Sequence, residues 1–227
     1  MNTKNQWDNA ALSYMKDQER SEFAAGNRQI VKKRFQKLNG KTVLDLGCGY
    51  GFFTGYFKSI GADVLGVDGS EMMLKLARER YPECNFQLAD LNQPLALPGE
   101  SFDLIFCNLV LMDVEHVAHL FSECKRLLRK NGILYYTINH PAFYNGDWLR
   151  DNQGFYYAKA IGNYIRSCQS ENNFWGKTAH FHRPLSYYLN AASASGLTLI
   201  HAEEPVSYNG KTKNADLPLF FIAEYQK

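Results

Sequence analysis

Val43-Leu44-Asp45-Leu46-Gly47-Cys48-Gly49-Tyr50-Gly51 is the stretch on which the reading of this chain turns. A short apolar strand, Thr42 to Leu46, breaks into alternating glycines, and a helical pattern runs from Phe52 to Ser59. Glycine permits positive φ and, lacking Cβ, lets the backbone touch a ligand while helix N–H groups point at it. The obvious rival is a dinucleotide loop, but that fingerprint spaces its glycines G-x-G-x-x-G around a doubly negative pyrophosphate. Here the spacing is G-x-G-x-G, with the Asp45 carboxylate two residues before the first glycine. An anion costs Coulomb energy beside a pyrophosphate and gains it beside an ammonium or sulfonium, while the helix N–H groups can take a carboxylate. S-adenosylmethionine, with S-adenosylhomocysteine as its product, is a ligand of that description.

Outward from the loop, short β-rich runs alternate with helical patterns, as a parallel sheet requires. Strands are expected at Asp63–Val67, Asn85–Leu88, Phe102–Cys107, Ile133–Ile138, Leu197–Ala202 and Leu219–Glu224. Helices are expected at Met72–Arg80, behind an N-cap at Ser70, and at Leu185–Ala194, which Gly196 stops. A further helix is expected from an Asp113 cap to a stop at Asn131-Gly132, with Val114, Val117, Leu120, Phe121, Cys124, Leu127 and Leu128 along one face. Residues 1–39 read as a helical cap and 139–183 as an inserted lid, within a single domain spanning 1–227. An open parallel sheet binds ligands outside the carboxyl ends of its strands, so the loops there carry the candidate site.

Asp68 ends Val64-Leu65-Gly66-Val67-Asp68, where an acid can accept both ribose hydroxyls. Asp90 follows the third strand; its carboxylate can accept from an adenine amino group while the Leu91 N–H reaches a ring nitrogen. One such aspartate alone reads as a turn former; three after successive strands read as a site.

These motifs resemble the class I S-adenosylmethionine-dependent methyltransferases, in particular their small-molecule branch, often called methyltransferase type 11 or ubiquinone/menaquinone-methyltransferase-like. The resemblance is strongest over residues 42–138. It implies an α/β, Rossmann-like, seven-stranded mostly parallel sheet of order 3-2-1-4-5-7-6, with strand 7 antiparallel. It implies that Gly47 and Gly49 hold the methionine end, that Asp68 holds the ribose, and that Gly69, Ser70, Met72 and Met73 pack on adenine. It also places Asp90 and Leu91 at adenine, Asn108 and Leu109 beneath the sulfonium, and Tyr14, in a Trp7-Asp8…Tyr14 pattern, over the methionine moiety. Asn108-Leu109-Val110-Leu111 stands where nucleic-acid amino-methylating enzymes carry N-P-P-Y or D-P-P-F, so base methylation is not expected.

The implied chemistry is in-line methyl transfer to oxygen, nitrogen or carbon of a small organic acceptor, which needs alignment and exclusion of water. His140, directly after the fifth strand, and His182, before the helix that follows the insertion, are the candidate bases. The alternatives are a nicotinamide-dependent oxidoreductase and a non-catalytic, methyltransferase-like binding protein. Between 139 and 183 there are ten aromatics in 45 residues, against 14% for the chain, which points to a lid that supplies an acceptor pocket. His180-Phe181-His182 has no acidic partner nearby in sequence, and no metal is expected.

The 227-residue chain carries 25 basic and 23 acidic side chains, a balance unlike that of a nucleic-acid binder. Its 45% hydrophobic content excludes a disordered chain, and no apolar stretch is long enough to span a bilayer. Five cysteines, an odd number without a C-x-x-C pair, fit reduced thiols in a cytoplasmic protein, monomeric or homodimeric.

Overall fold

Parallel strands buried on both faces must be apolar at consecutive positions. Val43 and Leu44, both fully buried, face opposite sides of the sheet and start its two cores. The computed structural model describes residues 3–144, 146–205 and 217–227. Its strands are β1 (Thr42–Leu46), β2 (Asp63–Asp68), β3 (Asn85–Leu88), β4 (Phe102–Asn108), β5 (Leu128–Asn139), β6 (Asp147–Arg150), β7 (Tyr156–Ala160), β8 (Cys168–Asn172), β9 (Thr178–His182), β10 (Thr198–Glu203) and β11 (Phe220–Gln226). Its helices are α1 (Thr3–Arg20), α2 (Glu22–Arg34), α3 (Phe52–Ser59), α4 (Glu71–Arg80), α5 (Val117–Leu127) and α6 (Leu185–Ala194).

The main sheet has seven strands in the order β3-β2-β1-β4-β5-β11-β10. Only β11 runs against its neighbours, antiparallel to both β5 and β10. This is the 3-2-1-4-5-7-6 order, because the four strands of the insertion form separate hairpins, β6-β7 and β8-β9, that do not join the sheet. The amphipathic α5 lays Val117, Leu120, Phe121, Cys124 and Leu127 on one face of the sheet with Tyr188 and Ala192 of α6. Val31, Phe35 and Phe57 from the α2 and α3 side cover the other face.

Two boundaries depart from the sequence reading. The chain leaves α5 at Leu127, before Asn131-Gly132, because Leu128 is buried and already pairs with Phe102. Asn131, at φ 62, then lies within β5 where its register against β4 shifts. The other departure is at the start of α5: its first residue is Val117, not Val114, and Asp113 does not cap it. No side chain caps the helix; Asn92, from the loop after β3, instead holds the two residues before it, accepting from the N–H groups of Glu115 and His116 at 2.9 and 3.0 Å. Asp113 is thereby free for the cavity described below.

Arg34, from the basic run at the end of α2, reaches Glu224 of β11 through two bonds of 2.5 and 2.6 Å. Glu224 is 2% exposed, so this fork satisfies a carboxylate inside the molecule. No helix among the described residues is long and apolar enough to cross a membrane.

Arg34→Ala leaves the Glu224 carboxylate buried without its partner, and the expected loss of stability is about 3 kcal/mol. A urea midpoint within error of the wild type would show that water replaces the guanidinium at no cost.

Candidate functional site

The site begins where β1 can go no further. Gly47 adopts φ +69, and a Cβ there would lie 2.4 Å from Cγ2 of Val110, so neither the backbone nor the space tolerates a side chain. Its N–H and that of Cys48 both donate to the Val67 carbonyl, locking the loop onto β2. Gly49 also has positive φ, +54, but the nearest atom to a Cβ would be Met73 Sδ at 4.0 Å. Gly47 serves the packing of the protein, and Gly49 leaves room for something else.

Asp68, the last residue of β2, binds this loop to the next one. Its Oδ2 accepts from the Gly49 N–H at 2.8 Å and its Oδ1 from the Ser70 N–H at 2.9 Å. Burial pushes its carboxyl upward, and those backbone donors pull in the other direction. Ser70 caps α4, accepting from the Met73 N–H at 3.1 Å, and donates its own proton to Asp8 Oδ1 at 2.6 Å. The Met72 N–H reaches the same Asp8 oxygen at 3.0 Å. Asp8 therefore ties α1 to the start of α4 and sets Trp7 and Tyr14 over the crevice. Tyr14 packs edge-on against Trp7, ring centroids 5.5 Å apart, and against Trp175 of the lid at 4.8 Å.

One crevice is lined by Tyr14, Gly47, Gly49, Asp68, Gly69, Ser70, Met73, Asp90, Leu91, Asn108 and Leu109. Of the residues expected at a donor site, two lie elsewhere. Met72 is exposed on the outside of α4, and only its N–H is engaged. Asp45 sits behind the loop, accepting from Thr54 Oγ1 at 2.6 Å, in an adjoining cavity that Gly47, Gly49, Arg28 and Tyr50 also line. Burial pushes the Asp45 carboxyl up to about 7, with the charge of Asp68 adding to it. In that cavity the Arg28 guanidinium donates to Tyr50 Oη at 2.6 Å. Sequence reading missed Arg28, since its charge is one of many on a helix and only the packing of α2 against β1 brings it here.

The floor of the crevice is a strained backbone. Leu109 adopts φ 58, a left-handed conformation rare for its type, and its N–H donates to Thr137 O at 2.8 Å. Asn108 beside it exchanges two amide hydrogen bonds with Asn27 of α2, at 3.0 and 3.1 Å. The segment after it, 111–115, is held from outside: Arg183 is buried and donates to the carbonyls of Leu111, Val114 and Glu115, while the Phe181 N–H donates to Met112 O at 2.7 Å.

That fastening presents Asp113 to the crevice, which it lines together with Val110, Val114, Asn92 and Trp7. Tyr14, Leu109 and Asp113 also line a second cavity, closed by Phe23, Met112, Asn139, Tyr144, Trp175 and His180. His180 Nδ1 lies 3.0 Å from Asp113 Oδ1. Burial pushes the Asp113 carboxyl well above its ordinary range, with the charge of Asp68 adding to it, and pushes His180 down to about 4.

His140 and His182 line neither of these cavities but a further one, which shares Met112, Asn139, Tyr144, Phe174 and His180 with the aromatic cavity. His140 is buried, its Nδ1 accepts from the Ala142 N–H at 3.2 Å, and its Nε2 lies 2.7 Å from Glu204 Oε1. Both ring nitrogens are thus engaged. His182 Nε2 donates to the Tyr164 carbonyl at 2.8 Å. Among the described residues no cluster of three or more His, Cys, Asp or Glu side chains could hold a metal ion.

A seven-stranded sheet of this order, with a glycine loop after its first strand and acids after its second and third, defines the class I methyltransferase fold. Known proteins agree with it. A family model described as "Methyltransferase domain" matches residues 44–136. The chain is 33% identical over 135 residues to a ubiquinone biosynthesis O-methyltransferase of Mesorhizobium japonicum, covering 56% of this chain and 51% of that protein. It is 31% identical over 102 residues to a malonyl-[acyl-carrier protein] O-methyltransferase of Yersinia pestis, covering 45% of this chain and 38% of that one. The chain spans about half the length of the first of these relatives and less of the second. A solved S-adenosylmethionine-dependent methyltransferase of Mesorhizobium loti superposes with a TM-score of 0.77 at 28% identity, covering 92% of this chain and all of that one. Residues 44–136 thus match the methyltransferase domain, the chain has the class I S-adenosylmethionine-dependent methyltransferase fold, and S-adenosylmethionine is its cofactor.

Two glycine substitutions separate packing from ligand space. Gly47→Ala meets Val110 and a left-handed φ together, with an expected stability loss of about 3 kcal/mol. Gly49→Ala meets only the backbone term, about 1 to 2 kcal/mol, and fills space that the cofactor needs. The expected pattern is a large shift of the urea midpoint for the first, and for the second a small shift with weakened S-adenosylhomocysteine binding in calorimetry. The reverse pattern would be incompatible with this division.

Proposed function

We propose that the protein transfers the methyl group of S-adenosylmethionine to a small organic acceptor, at oxygen in the first instance. One observation carries this reading: the crevice beside the glycine loop is acidic, and it opens onto an aromatic-walled cavity at Tyr14, Leu109 and Asp113. Asp68, Asp90 and Asp113 line the crevice, and none of the described residues lining it is Lys or Arg. Such a lining favours a cationic nucleoside and repels a pyrophosphate, which argues against the nicotinamide-dependent alternative. Oxygen is preferred among the possible acceptor atoms because the relatives above are named O-methyltransferases.

When bound, the cofactor supplies an electrophilic methyl group. The chain's part is to hold and orient it. In this reading Asp68 accepts the ribose hydroxyls on lone pairs that Gly49 and Ser70 leave open, and Asp90 with the Leu91 N–H takes the adenine edge. Met73, buried and polarizable, packs on the base. The methionine end lies along Gly47 and Gly49, with Arg28 as the nearby positive group for its carboxylate and Asp45 behind the loop. Tyr14, with Trp7 and Trp175, covers that end and excludes water. The aromatic lid seats an apolar or planar acceptor. His140 and His182, each held by a hydrogen bond, keep the lid in place in this reading. The five cysteines are free thiols, in keeping with work in the cytoplasm.

Asp68→Ala removes a charged acceptor for the ribose and is expected to weaken donor binding by about 1.5 to 3 kcal/mol. Calorimetry with S-adenosylmethionine measures this, and an unchanged affinity refutes the ribose assignment. A binding protein without activity would take up the donor but transfer no labelled methyl group to any fraction of a metabolite extract.

A further inference from the structure

We propose that Asp113, oriented by His180, is the proton acceptor of the reaction, and that the acceptor is a planar aromatic compound presenting a hydroxyl group. The inference rests on the methyl-transfer reading above and names its base and substrate class.

Asp113 lines both the donor crevice and the aromatic cavity, as Tyr14 and Leu109 also do. Its side chain is 14% exposed, and its Oδ1 is buried without a completed hydrogen bond. Asn139 Oδ1, lining the same aromatic cavity, is likewise buried and unpartnered. Two orphaned oxygen acceptors on one cavity call for a ligand that brings hydrogen-bond donors, since leaving them unpaired is costly. Phe23, Tyr144, Phe174 and Trp175 line the cavity, Trp175 meeting Tyr14 edge-on, and Asp17, Gln18 and Ser21 add polar groups to its lining. A flat ring with an O–H at its edge satisfies both demands.

His180 is set for orientation. Its Nε2 lies 3.3 Å from Asn172 Nδ2, which can only donate, and 3.4 Å from Thr178 Oγ1. Nε2 is therefore the accepting nitrogen, and the ring proton is on Nδ1, 3.0 Å from Asp113 Oδ1. The Nδ1–H completes no hydrogen bond to Oδ1, which is left for a ligand, but its positive end beside that oxygen favours the carboxylate form against the burial that opposes it. The other titratable groups acting electrostatically with Asp113 are Asp68, Tyr14, Tyr144, Tyr188 and Cys107, and of these Asp68 adds like charge.

In the step, the acceptor O–H bond breaks and its proton passes to Asp113. The oxygen's electron pair forms the bond to the donor methyl carbon, and the pair of the breaking S–C bond stays on sulfur. Protonated Asp113 then returns its proton to solvent when the product leaves.

The test uses 4-nitrophenol, whose phenolate absorbs in the visible, added to protein saturated with sinefungin, a donor analogue that carries an ammonium and no transferable methyl. At a pH where the free probe is mostly protonated, the wild-type complex is expected to bind it as phenolate. Asp113→Leu, which takes one negative charge from the crevice, is expected to bind sinefungin more weakly and, once saturated with it, to hold the probe as the phenol. His180→Phe removes a group that favours the carboxylate, makes Asp113 the stronger proton acceptor, and is expected to enlarge the phenolate band and bring its onset to lower pH, a shift that loss of a merely structural contact would not produce. With S-adenosylmethionine in place of sinefungin, methyl transfer to the probe is expected to fall roughly 100-fold in Asp113→Leu. A phenolate band undiminished in Asp113→Leu, a protonated probe on the wild type, or no binding of the probe by the wild-type complex each overturns the proposal. Failure of the wild type to bind sinefungin instead defeats the donor reading, and this inference with it.

Discussion

The carboxylate of Asp68 is the constraint on which the site depends. It accepts from the backbone of Gly49 and from that of Ser70, so one side chain fixes both the loop after β1 and the entry to α4. Charge-assisted bonds to backbone N–H groups are strong ones, and a carboxylate with two of them can stay in a buried place. From this anchor the order passes outward through hydrogen bonds. Ser70 caps α4 and donates to Asp8, and Asp8 draws the first helix across the crevice.

A second anchor works from the opposite wall. Arg183 has no carboxylate; it donates to three carbonyls of the segment between β4 and α5. Buried carbonyls that would otherwise be orphaned are satisfied by one guanidinium. This holds Asp113 at the seam of two cavities, while Leu109 before it accepts a left-handed φ. Strain of this kind persists only where the surroundings over-determine it, and here the Leu109 N–H bond to Thr137 and the Asn108–Asn27 amide pair supply that surrounding order.

The strands and most of the donor crevice were legible along the chain because each is a local pattern, whereas the strand order was expected only from the family resemblance. Apolar runs, Ser70 before Met73, glycines after β1 and acids at strand ends all lie within a few residues of what they act on. Legibility failed where a partner came from far away. Asp113 reads as a helix cap, but α5 starts four residues later without a side-chain cap, and Asn92, about twenty residues before Asp113, holds the approach to it. His180 has no acid near it in sequence, yet Asp113 lies against it once β9 packs beside the β4–α5 segment. His140 and His182 read as bases by position after a strand and before a helix, but both ring nitrogens of His140 and Nε2 of His182 are engaged within the protein.

The chain by itself determined the strands and the chemistry its loops favour, because strand burial and glycine conformation act through neighbouring residues. Folding alone decided which acids share a cavity, which histidine meets one of them, and that Asp45 supports the loop from behind through Thr54. Burial and charge coupling are properties of assembled space: a carboxyl moves from its ordinary range only when other elements remove its water, and no spacing in the sequence records that event.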